Sequence, residues 1–86
     1  MDTLRIFKRL KNGKSIETFY RKSNDITYTI RLDNKNNLFT LHFYYLDGND
    51  VFDETNYKDE RMETFSDFDE LVKTIQLKFP GIEIKL

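Results

Sequence analysis

The sequence predicts an α+β fold: one antiparallel sheet of three to five strands with an N-terminal and a C-terminal helix on one face. Three observations predict it. Leu38-Phe39-Thr40-Leu41-His42-Phe43-Tyr44-Tyr45-Leu46 is the most apolar run, too short for an ordinary helix and rich in aromatics, so it reads as the central strand. Ile26, Tyr28, Ile30 and Leu32 alternate with Thr27, Thr29 and Arg31, the period-two signature of a half-buried strand. Both ends of the chain carry apolar residues at helical spacing.

The elements follow in order. Thr3, Ile6, Phe7 and Leu10 mark one face of a short helix, with Asp2 or Thr3 as N-cap and Asn12-Gly13 as the stop. Ser15 to Arg21 reads as a first strand, and Lys22-Ser23-Asn24 turns the chain into the second. Asp33-Asn34-Lys35-Asn36-Asn37 reads as a polar turn, because Asn tolerates left-handed backbone. In the central strand, Phe39, Leu41, Phe43 and Tyr45 form the apolar face. Asp47-Gly48 ends that strand, Val51-Phe52 reads as a short fourth strand, and the stretch from Asp53 to Glu60 as a loop. Arg61 to Phe65 then returns to the sheet edge. Ser66-Asp67-Phe68-Asp69 has the form of a capping box, so a helix is expected from Ser66, with Phe68, Leu71, Val72, Ile75 and Phe79 as its buried stripe. Pro80-Gly81 stops it, and the alternation of Ile82, Ile84 and Leu86 with Glu83 and Lys85 suggests a last strand.

With 86 residues, the chain suffices for a single small domain, 1–86, whose folding buries only about 60–65% of the surface of the unfolded chain. It contains no cysteine, hence no disulfide framework and no thiolate metal site, which fits a reducing cytoplasm. Arg5, Lys8 and Arg9 interrupt the first apolar residues, unlike a signal peptide, and no apolar run approaches the roughly 20 residues of a membrane span. A soluble, cytoplasmic chain is expected. Alanine is absent while Lys, Asn, Ile, Phe and Tyr abound, the residues of AT-rich codons, as in a low-GC bacterium or its phage.

No catalytic, cofactor-binding or metal-ligating motif emerges, so an enzyme is not expected and no cofactor is assigned. His42 is the single histidine, which leaves a zinc site or a catalytic triad without its other members; a packed or half-exposed sheet residue is the simpler reading. A calcium loop begun at Asp47 or at Asp53 places Phe52 or Lys58 where glycine is required. Three isolated glycines make no phosphate loop. The helix, three strands, helix order resembles the double-stranded-RNA-binding domain in outline, but Asp67, Asp69 and Glu70 stand where that family presents lysines. A nucleic-acid module would have to work through Arg5, Lys8, Arg9 and Lys22, with Tyr20, Tyr28 and Tyr44 as stacking candidates.

Charge carries the functional clue. The net charge of −1 conceals a balance of +5 over residues 1–35 and −6 over residues 36–86. Ten acids lie between Asp47 and Glu70, namely Asp47, Asp50, Asp53, Glu54, Asp59, Glu60, Glu63, Asp67, Asp69 and Glu70, against only Lys58 and Arg61. Self-repulsion in so short a tract opposes folding. A solubilising surface is the plain reading; the sharper one is a continuous acidic patch that mimics a phosphate path and occupies the basic groove of a nucleic-acid enzyme. A homodimer, in which the basic helix of one copy meets the acids of another, is an alternative.

A resemblance agrees with the sharper reading. The helix ending Arg9-Leu10-Lys11-Asn12, the stretch Ser23-Asn24-Asp25-Ile26-Thr27 running into Ile30-Arg31-Leu32-Asp33-Asn34, and Lys73-Thr74-Ile75-Gln76-Leu77-Lys78 together cover about a third of the chain. In these parts, and in size, it resembles the small acidic anti-CRISPR proteins of phages that infect Gram-positive bacteria; the ending after Pro80 departs from that pattern. The resemblance implies an inhibitor, acting in the bacterial host cytoplasm, that blocks the channel where the type II RNA-guided nuclease recognises target-flanking DNA.

Overall fold

The computed structural model describes residues 2–46, 57–84 and 86. Helix α1 (Thr3–Lys11) is followed by strands β1 (Ile16–Arg21), β2 (Thr27–Lys35), β3 (Leu38–Leu46) and β4 (Tyr57–Phe65), then by helix α2 (Phe68–Lys78). The strands form one antiparallel meander in the order β1-β2-β3-β4. This is the predicted α+β architecture, with β3 inside the sheet.

Strand parity divides the residues between two faces. Ile16, Tyr28, Ile30, Leu32, Phe39, Leu41 and Phe43 point to the face that carries the helices, and all are buried. There α1, packed on β1 and β2, contributes Ile6 and Leu10, while α2, packed on β3 and β4, contributes Leu71 and Ile75. Each such aliphatic side chain contributes about 1.5–3 kcal/mol of hydrophobic stabilisation. Aromatic edges fill the space between the layers: the Tyr28 ring meets Phe43, Tyr45 and Phe79 at 5.9, 5.3 and 5.4 Å, and Phe7 meets Phe68 at 5.0 Å. The other sheet face is not covered by either helix.

Four local expectations are corrected. Asp33, Asn34 and Lys35 extend β2 instead of turning; Lys35 pairs with Leu38, and the reversal needs only Asn36 and Asn37, both left-handed at φ 55° and 63°. Two consecutive positive φ values are the signature of the tight hairpin turn whose twist suits antiparallel strands. Residues 57–60 belong to β4. They escaped detection because residues 58–61 are all exposed and charged and so carry no apolar alternation, and because a β-bulge between the partners of Phe43 and Tyr45 shifts the parity. The N-cap of α2 is Asp67, not Ser66: its Oδ1 accepts the Asp69 amide at 3.0 Å, and a carboxylate there also gains from the helix dipole. Ile82, Glu83, Ile84 and Leu86 join no strand; after the turn at Pro80-Gly81, Ile82 and Ile84 are buried in the core, so their alternation reports burial without a ladder. Val51-Phe52 lies outside the described residues.

Candidate functional site

The acidic tract divides more than its sequence suggests. Asp47, Asp50, Asp53 and Glu54 lie outside the described residues. On β4, Glu60 reaches the open sheet face, where its Oε2 lies 2.8 Å from Nε2 of His42. Asp59 and Glu63 instead serve the helix-bearing side: Asp59 accepts the Tyr28 hydroxyl at 2.8 Å and lies 3.5 Å from Nε of Arg61, and Glu63, opposite Leu41, lies 3.8 Å from Nζ of Lys78. The expected single patch is therefore not what these three acids form, since a strand sends successive side chains to opposite faces.

Asp67, Asp69 and Glu70 do stand together. All three are exposed at the start of α2, and among the described residues none has a cation within ion-pair distance. Asp67 and Asp69 line an open groove of about 580 Å³ between α1 and the start of α2, whose apolar wall includes Phe7, Phe39 and Phe68. The Lys11 ammonium rests over Phe7 and Phe39 at 5.7 and 5.9 Å from the ring centroids.

The open sheet face holds a hollow of about 330 Å³ lined by Glu17, Thr29, Arg31, His42, Tyr44, Tyr57 and Glu60. Tyr44 and Tyr57 are stacked at 4.1 Å, and Arg31 is held by Asp33 at 3.1 Å and Ser15 at 3.4 Å. The His42–Glu60 contact supplies a base and an orienting acid, and among the described residues no hydroxyl nucleophile is hydrogen-bonded to His42. No group of three or more His, Asp or Glu side chains is placed to hold a metal ion among the described residues. Phe19 and Met62 add exposed apolar surface to this face, at 61% and 66% exposure.

The stacking candidates are corrected. Tyr28 is 5% exposed, and Tyr20 donates its hydroxyl to the Pro80 carbonyl at 2.8 Å, so only Tyr44 reaches the open face. On α1, Arg5, Lys8 and Arg9 are exposed and share a shallow hollow of about 270 Å³ with Asn12, Lys14 and Leu86. Lys22 instead lies over the Tyr28 ring at 5.9 Å.

Sequence reading missed the contact of Tyr28 with Asp59. Asp59 sits at the bulge with left-handed backbone, φ 49°, which a non-glycine residue adopts only with support. Burial, then the hydrogen bond and negative charge of Asp59, push the Tyr28 phenol up to about 12, so the hydroxyl keeps its proton. Neither the bulge nor a contact between residues 31 positions apart leaves a local signal in the chain. No helix among the described residues is long and apolar enough to cross a membrane. Comparison with protein-family models, curated proteins and solved structures finds no match to this chain.

Proposed function

We propose that the chain is a non-catalytic, protein-binding inhibitor that offers exposed carboxylates to the basic groove of a nucleic-acid enzyme, in the manner of the phage anti-CRISPR proteins it resembles. The observation that carries this reading is the trio Asp67, Asp69 and Glu70, exposed and without a cationic partner among the described residues, at the end of a sequence tract of ten acids. Such a surface steers association with a basic protein and is repelled by a phosphate backbone. Asp59 and Glu63 face Arg61 and Lys78 on the helix-bearing side, so the contact is assigned chiefly to the α2 start.

The test is DNA cleavage by a purified type II RNA-guided nuclease with and without the chain. Inhibition that weakens with salt and drops several-fold in the Asp69→Asn/Glu70→Gln variant is expected, since exposed pairs contribute about 0.2–1 kcal/mol each. Undiminished cleavage at excess protein, or full inhibition by the variant, refutes the reading.

A second reading is favoured by Arg5, Lys8 and Arg9 of α1, exposed and without an acidic partner among the described residues, which suit a nucleic-acid phosphate or the acids of a second copy. Oligonucleotide binding with a steep salt slope supports the former, and a dimer by light scattering at low salt supports the latter.

A further inference from the structure

Lys22 in the β1–β2 turn, Arg61 in β4 and Lys78 in the last turn of α2 are remote in sequence, yet all three line one hollow of about 280 Å³. A single carboxylate, Asp59, shares that lining, so its formal charge is +2 in a chain whose net charge is −1.

The three cations are held in place before any ligand arrives. The Lys22 ammonium lies 5.9 Å from the Tyr28 ring centroid, and the Lys78 ammonium 5.3 Å from that of Phe43. Aromatic faces restrain both stems, which lowers the entropy lost on binding. Arg61 spends its Nε on Asp59 at 3.5 Å, and its terminal amino groups make no hydrogen bond among the described residues. Asp59 is fixed in turn by the Tyr28 hydroxyl and by its left-handed position in the bulge. Bulges that re-aim side chains and backbone held in sparsely populated regions concentrate at functional sites. Lys78 has a competing partner in Glu63, but at 3.8 Å between partly exposed groups that contact is weak.

We propose that this hollow is a binding site for an oxyanion, a phosphate group either free or carried as a monoester on a small molecule. Two phosphate oxygens meet the free edge of the Arg61 fork, which matches such an anion in geometry, while Lys22 and Lys78 neutralise the remaining charge from either side. Tyr28 donates its hydroxyl proton to Oδ2 of Asp59, while Oδ1 of the same carboxylate lies 3.5 Å from Nε of Arg61. The site involves none of Asp67, Asp69 and Glu70 and stands apart from the inhibitor reading.

Amide NMR shifts under titration with sodium phosphate, against sodium chloride at matched ionic strength, test the proposal. A saturable curve with Kd about 1 mM or tighter, confined to the β1–β2 turn, the β4 bulge and the end of α2, is expected. A nucleoside monophosphate in a parallel arm distinguishes the sources: equal affinity assigns the free anion, tighter binding the ester. Arg61→Gln and Lys22→Gln, both at exposed side chains, should each weaken binding about tenfold with the spectrum otherwise native. Shifts that match those with chloride, that do not saturate, or that persist unchanged in both variants overturn the proposal.

Discussion

Replacing Tyr28 by Phe removes one hydroxyl and nothing else from the packed face. The ring keeps its edge contacts with Phe43, Tyr45 and Phe79, so the change in stability reports the bond from Tyr28 to Asp59. A hydrogen bond to a charged partner contributes about 1.5–3 kcal/mol. The Asp59 side chain is 45% exposed and recovers water when the donor is lost, which places the expected loss near the lower end, about 1–1.5 kcal/mol. For a domain of this size that lowers Tm by about 5–10 °C, measurable by circular dichroism alongside a urea titration with unchanged slope. The pH dependence carries its own sign. The folded phenol titrates at about 12 against an ordinary value of 10.0, so between these values the folded state holds the extra proton. The contribution is therefore complete below pH 10 and lost as pH rises through 12. Two units set an upper limit of about 2.7 kcal/mol, which water reaching the hydroxyl through the adjoining hollow reduces. The gap between the parent and the Tyr28→Phe protein should thus narrow above pH 10. A gap under about 0.3 kcal/mol at neutral pH, or one that is the same at pH 8 and pH 11.5, refutes the reasoning.

Two further predictions concern the fold. Leu41→Ala, at a fully enclosed position of β3, should cost about 2–5 kcal/mol and, in so small a domain, lose most cooperative unfolding; a loss below 1 kcal/mol would mean that the two helices do not close over this strand. Asp67→Ala should lower stability by about 1 kcal/mol in urea unfolding, whereas Ser66→Ala should leave it within about 0.5 kcal/mol; the reverse order would restore Ser66 as the cap.

The sheet and both helices were legible because each buries one face, and burial writes its period into the chain. Phe39, Leu41 and Phe43 repeat every second residue, and Ile6 with Leu10 and Leu71 with Ile75 every fourth. Where an element buries little, the signal fades: β4 carries Lys58, Asp59, Glu60 and Arg61 in succession and reads as loop. The tail shows the converse, since Ile82 and Ile84 alternate for burial alone.

The candidate sites divide the same way. Composition by itself determined that acids crowd the second half of the chain and cations the first, and that no cysteine chemistry is present. Which of those charges face outward was decided only by tertiary structure. The bulge and strand pairing turn Asp59 toward Tyr28 and Arg61, the start of α2 leaves Asp69 and Glu70 in solvent, and three elements bring Lys22, Arg61 and Lys78 around one hollow. The physical reason is that hydrophobic periodicity is a local property, read within a few residues, whereas a charge acquires its partner from distances in space that the sequence does not encode locally.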